Sequence, residues 1–259
     1  MFDEIFPTNT FFSEPTSVVK SSKIVRVLED LCKITSPVLP GRMSASTLSY
    51  ISPNILELQQ IYTYLETSME RHSHLKEWWW TVIDDLGLNQ DYVSQLSILS
   101  KQRISELTSQ DTRTLDFLTE KGVARMAVQL LPFFQHIIIK CGNAGVILAM
   151  RIPNTPAQLW NAEKSDPRRG RRIIFSGRTS MFVLKHYPAI SLDASSVVNV
   201  TGAGDSLVGS LLASISANPD IMQSPNLVDK MVHRAQQAAV LTLRSNLAVS
   251  PDLGSIAHL

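Results

Sequence analysis

The chain has 259 residues, 44% of them hydrophobic and 18% charged, a balance that excludes a disordered chain or a fibre. A formal net charge of +1 supplies no global field to recruit nucleic acid or acidic lipid, so neither partner is expected. The two cysteines, Cys32 and Cys141, make no disulfide framework and no unaided zinc site, and no run reaches the ~18 apolar residues of a membrane span.

The opening MFDEIFPTNTFF carries two acids and no base, so it reads as neither signal nor transit peptide, and a cytoplasmic protein is expected. Thr16 or Ser17 is placed to cap a helix over about Val18 to Lys33, where Val19, Ile24, Val27, Leu28 and Leu31 recur at helical spacing. Pro37, Pro40 and Gly41 mark an extended piece and a turn. Thr47 to Ile51 is a short strand candidate, and a helix follows Pro53-Asn54 with Ile55, Leu58, Ile61 and Leu65 on one side. Residues 71 to 118 read as a helical insertion. Its Trp78-Trp79-Trp80 is expected to pack in the core, because Asp84 and Asp85 follow where a base-stacking platform would want cations. His72 and His74 are two apart and so do not share a helix face, which argues against a metal pair.

Gly122 to Leu131 is a further helix, stopped by Pro132. His136 to Lys140 reads as a buried strand, Cys141 to Gly145 as a turn and Val146 to Met150 as its hairpin partner. Residues 152 to 172 hold three prolines and the run Arg168-Arg169-Gly170-Arg171-Arg172, and are expected to form a flexible basic loop. Strands are expected at Ile173 to Phe175, Met181 to Lys185 and Val197 to Val200. Helices are expected at Ser206 to Ser216 and Asn226 to Leu243. Strands and helices interleave, which points to an α/β layered fold.

The stretch that carries chemistry is Val200-Thr201-Gly202-Ala203-Gly204-Asp205-Ser206. A Gly-rich turn running into a helix exposes amides with no intrahelical partner at the positive end of the helix dipole, where phosphate binds. Asp205 stands beside those amides. An anion pocket next to a carboxylate suits phosphoryl transfer, with amides taking the developing charge and the carboxylate taking the proton of an attacking hydroxyl. Neither a Walker A loop nor a G-x-G-x-x-G fingerprint is present.

VTGAGDS resembles the C-terminal signature of the ribokinase (PfkB) carbohydrate kinase family. Three more segments agree in order. Ser52-Pro53-Asn54-Ile55-Leu56-Glu57 is similar to the family's N-x-x-E motif. Ile138 to Val146 is similar to the strand and turn bordering the ATP site, and Ala235 to Ala239 to the helix flanking adenine. A finer likeness, in Glu14-Pro15-Thr16-Ser17 with Lys20, Gln129 to Phe133, Lys140 before Cys-Gly and Tyr187-Pro188, is to pseudouridine-kinase-like proteins, in fungi often fused to a pseudouridine monophosphate glycosidase.

The resemblance implies a ribokinase-like α/β/α sheet over residues 11 to 259, lacking the N-terminal strands and lid and so truncated at its start. It implies an ATP- and Mg²⁺-dependent kinase for a small-molecule sugar or nucleoside, pseudouridine favoured, with a fused or associated glycosidase domain. Asp205 would be the catalytic base; Gly202, Ala203 and Gly204 the anion hole; Lys140, Gly142, Thr201 and Gln236 the nucleotide-binding residues; Asn54 and Glu57 the organisers of Mg²⁺. Asn199 replaces the family's leading Asp, and Lys140 its usual Thr. Two rival readings are a non-catalytic nucleotide-binding or interaction remnant and a ribokinase-like sugar kinase with another acceptor.

Overall fold

The computed structural model describes residues 12–13, 23–34, 48–85, 122–153, 159–160, 172–176 and 180–258. Six strands form one sheet: β1 (Phe12–Ser13), β2 (Leu48–Ile51), β3 (Phe134–Lys140), β4 (Val146–Pro153), β5 (Arg172–Ser176) and β6 (Ser180–Tyr187), in the order β1-β2-β3-β4-β6-β5. The first three run parallel, and the β3–β4, β4–β6 and β5–β6 pairs are antiparallel. The hairpin expected at β3–β4 is present, with Ile138 opposite Leu148.

Period-two alternation divides the sheet into two buried faces. Ile51, Ile137, Ile139, Ala149, Phe182 and Leu184 meet α1 (Lys23–Ile34), α2 (Ile55–Arg71), α3 (Ser73–Asp85) and α4 (Val123–Leu130). Tyr50, Ile138, Leu148, Met150 and Val183 meet α5 (Ala203–Ala217) and α6 (Pro225–Leu243). The result is a three-layer α/β/α arrangement. Ile137, Ile138 and Ile139 are fully buried, each contributing roughly 1.5–3 kcal/mol of burial.

Trp78 and Trp79 are core as expected, and Trp79 donates its indole N–H to the Gln129 carbonyl at 2.8 Å, joining α3 to α4. Trp80 is exposed. Of the expected insertion only residues 71–85 are described, and they pack as the end of α2 and α3; 86–118 lie outside the described residues. So do 154–158 and 161–171 of the expected basic loop, although Ile152 and Pro153 belong to β4 and Arg172 to β5. The start expected for α1 at Val18, with its Thr16 or Ser17 cap, also lies outside them.

One expected element is corrected. Val197 to Val200 is not a strand. It follows a short 3-10 turn (Ala194–Ser196), and the amides of Val198 and Asn199 both donate to the Leu243 carbonyl, at 2.8 and 3.2 Å. Val198 is 55% and Val200 73% exposed, so the segment lies outside the sheet as a tether to the end of α6. Its valines carry β-propensity without a neighbouring strand to use it.

Candidate functional site

Parallel β2 and β3 end side by side, and ligands of open α/β sheets gather at such carboxyl ends. The Lys140 amide donates to the Pro53 carbonyl at 2.8 Å and Asn54 bridges Lys140, so the start of α2 is fixed against the end of β3. Asn54 caps α2. Its Oδ1 accepts from the Glu57 amide at 2.9 Å, and Glu57 Oε2 accepts from the Asn54 amide at 2.8 Å, a reciprocal capping box. Glu57 is buried and Asn54 half-buried.

Over the same strand end lies the first turn of α5. Gly202 precedes the helix at φ 80°, and as a glycine it has no side chain with which to cap the amides of Ala203, Gly204 and Asp205. Asn199 Oδ1 accepts from the Thr201 amide at 2.9 Å, an Asx turn that Asp or Asn would make equally. Ser206 Oγ and Thr242 Oγ1 are 2.7 Å apart, and the Ser250 amide reaches Thr242 Oγ1 at 3.4 Å, so α5, α6 and the segment after α6 are knit together. Exposed Val198, Val200, Leu247 and Val249 flank the contact of Gly202 with Ala248 along the chain.

Lys140 joins the two halves. A methyl on Gly204 would meet its Cδ at 3.7 Å, so the half-buried lysine stem runs beside the first turn of α5. Asp205 and Thr201 are exposed at that turn. The structure therefore gathers Asn54, Lys140 and the 202–205 loop at one end of the sheet, with Glu57 behind Asn54. Gly142 is exposed one residue beyond Cys141, at φ 58° in the 3-10 turn Gly142–Ala144. Gln236 is differently placed. It is buried, and its Nε2 donates to the carbonyls of Tyr187 at 3.3 Å and Pro188 at 2.9 Å.

The rings of His72 and His74 lie 5.5 Å apart, and among the described residues no group of three or more His, Cys, Asp and Glu side chains could hold a metal ion. Sequence reasoning passed over His186, whose Nε2 lies 2.6 Å from the Ala144 carbonyl, and Asp229, which joins Lys185 at 2.6 Å and the Tyr187 hydroxyl at 2.8 Å. The signal was Lys185-His186 inside the apolar run Met181 to Tyr187, since polar groups in a fully buried strand need partners.

Over 243 residues, 94% of its length, the chain is 25% identical to a pseudouridine-metabolizing bifunctional protein of Schizosaccharomyces pombe. The resemblance is to the ribokinase (PfkB) family. Similar solved structures include a ribokinase from Cryptococcus neoformans in complex with ADP (12% identity, TM-score 0.46, covering 96% of this chain and 50% of that one). Another is an aminoimidazole riboside kinase from Salmonella enterica complexed with aminoimidazole riboside and an ATP analog (13%, 0.41, 96% and 52%). The chain spans 26% of the length of the S. pombe relative and about half of each of these two solved kinases. No protein-family model matches it.

Proposed function

We propose that this chain is an ATP-dependent kinase of the PfkB type that transfers the terminal phosphoryl group to a hydroxyl of a nucleoside, with pseudouridine as acceptor. The observation that carries the reading is the meeting of Lys140 with the uncapped first turn of α5 at the ends of β2 and β3. The likeness to a pseudouridine-metabolizing relative supports the acceptor.

In this reading the amides of Ala203, Gly204 and Asp205 take the charge that develops on the transferred group. Lys140 adds a positive charge beside them, and Thr201 and Gly142 border the nucleotide. The exposed valines and Leu247 offer apolar surface to its base. Asp205 accepts the proton from the acceptor hydroxyl as its oxygen bonds to phosphorus and the bond to the ADP oxygen breaks. The capping box engages the single side-chain oxygen of Asn54 and one of the two of Glu57, which leaves Glu57 Oε1 to accept from the water of a hydrated Mg²⁺ shared with phosphates rather than enclosed by protein. That ion would neutralise phosphate charge.

Incubation with ATP and a panel of pseudouridine, ribose, adenosine and fructose phosphate tests the acceptor; ADP release with pseudouridine above the others is expected. Asp205→Asn is expected to lower turnover at least ~10²-fold with ATP binding nearly intact. Equal loss of binding and turnover would contradict the role given to Asp205. Nucleotide binding without transfer to any acceptor would favour a binding module over an enzyme.

A further inference from the structure

The turn Gly142–Gly145 between β3 and β4 is held from both faces of the sheet. On the face covered by α1–α4, His186 Nε2 approaches the Ala144 carbonyl at 2.6 Å. A carbonyl only accepts, so Nε2 carries the proton. Burial pushes His186 below its ordinary value, which the Ala144 hydrogen bond partly opposes, so at neutral pH the ring is uncharged and this nitrogen is its single donor. On the other face, Gln236 of α6 donates to the carbonyls of Tyr187 and Pro188. The Tyr187 carbonyl is also the wall on which the turn rests: a Cβ at Gly145, φ 94°, would lie 2.0 Å from it. The turn closes on itself through Cys141 N–H to the Gly145 carbonyl at 2.8 Å and Gly145 N–H to the Gly142 carbonyl at 3.0 Å.

We infer that His186 and Gln236 are positioning residues for the nucleotide, acting through this turn rather than by touching the ligand. The inference rests on the kinase reading, which places Gly142 at the nucleotide. Their hydrogen bonds run to Ala144, Tyr187 and Pro188 rather than to the first turn of α5, so they set nucleotide affinity and leave the acceptor alone. Protonation of His186 would keep the Nε2 donor, so the clamp does not switch with pH.

The test is ADP titration by calorimetry on the full chain, with kinetics alongside. His186→Met fills the space without a donor; His186→Gln can still donate to Ala144. His186→Met is expected to weaken ADP binding about tenfold and raise the ATP KM equally, with the acceptor KM within about twofold, since small misplacements of binding groups carry large penalties. His186→Gln is expected to bind within about threefold of wild type, and Gln236→Leu to behave like His186→Met. Faster hydrogen exchange at the Cys141 and Gly145 amides should accompany the loss, a readout that needs no activity and serves also if His186→Met folds poorly. Equal ADP affinity in all variants, or equal loss in His186→Met and His186→Gln, would overturn the inference while leaving the kinase reading in place. A wild-type chain that binds neither ADP nor ATP would overturn both.

Discussion

At Gly202 the backbone turns left-handed just as Ala248 closes over it, and a Cβ there would lie 1.7 Å from the Ala248 carbonyl oxygen. The left-handed region alone costs an L-residue roughly 1–2 kcal/mol, and here the obstructing atom is backbone that cannot swing aside. Gly202→Ala is therefore expected to lower stability by about 2 kcal/mol or more and to displace the first turn of α5. Gly209, within the same helix, has nothing within 4 Å of the corresponding position. Gly209→Ala is expected to raise stability by about 0.5–1 kcal/mol through helix propensity. Urea denaturation of the two variants reads both signs, and a destabilised Gly209→Ala or an unaffected Gly202→Ala would contradict this account of the loop.

Between elements, a buried ion pair ties α6 to β6. Lys185 is 3% exposed and Asp229 15% exposed, at 2.6 Å, and the Tyr187 hydroxyl shares the same Asp229 oxygen. The Lys185 ammonium also lies 5.7 Å from the Trp160 ring centre and 5.1 Å from that of Tyr187, where the ring faces attract it. Removing one partner leaves a buried charge, so Asp229→Ala is expected to lose about 3 kcal/mol. Asp229→Leu combined with Lys185→Met should recover much of that loss in the same denaturation measurement. This pair also shows where sequence was silent. Apolar patterning revealed β3, β4, β6, α5 and α6 to within a few residues, because a strand buried on both faces reads as a continuous apolar run and a helix buried on one face as a 3.6-residue stripe. It could not reveal that Phe12–Ser13 pairs with β2, since two residues have no period. It misread Val197 to Val200 because β-branched residues in a row look alike whether they pair with a strand or tether a helix end. The site divides in the same way. The 202–205 loop is local and was legible as a Gly-rich turn entering a helix, whereas Asn54 and Glu57 stood out only by their likeness to a family motif and prove to be the cap of α2. The bonds from Gln236 to Tyr187 and Pro188 and from His186 to Ala144 join residues more than forty apart, which no local pattern encodes.

On the scale of the whole molecule, the stack of Tyr50 on His136 between β2 and β3 sets the pH window of stability. The rings are 4.8 Å apart and both are buried beneath the α5–α6 layer. Burial, reinforced by Arg151, brings His136 down from 6.5 to about 3. Above pH 6.5 the histidine is neutral in both the folded and unfolded chain, and stability is intact. Below 6.5 the unfolded chain takes up a proton that the folded one refuses, so stability falls by up to about 1.4 kcal/mol per pH unit until the folded group titrates. The total, up to about 5 kcal/mol at pH 3, rivals the 5–15 kcal/mol that holds a typical domain folded, so acid unfolding is expected before pH 3 is reached. His186 shifts in the same direction and adds to the slope. At the other end, burial and then Asp220 raise Tyr50 from 10.0 to about 12. The unfolded tyrosine ionises first, so stability also declines above pH 10. Thermal melts from pH 3 to 11 should show a plateau between 6.5 and 10 with losses on both sides. His136→Phe keeps a ring against Tyr50 and removes the proton site, so its acid limb should flatten by about one proton relative to wild type. Unchanged steepness in that variant, or a His136 ring resonance that titrates near pH 6 in the folded chain, would show that the histidine is not held neutral by its burial.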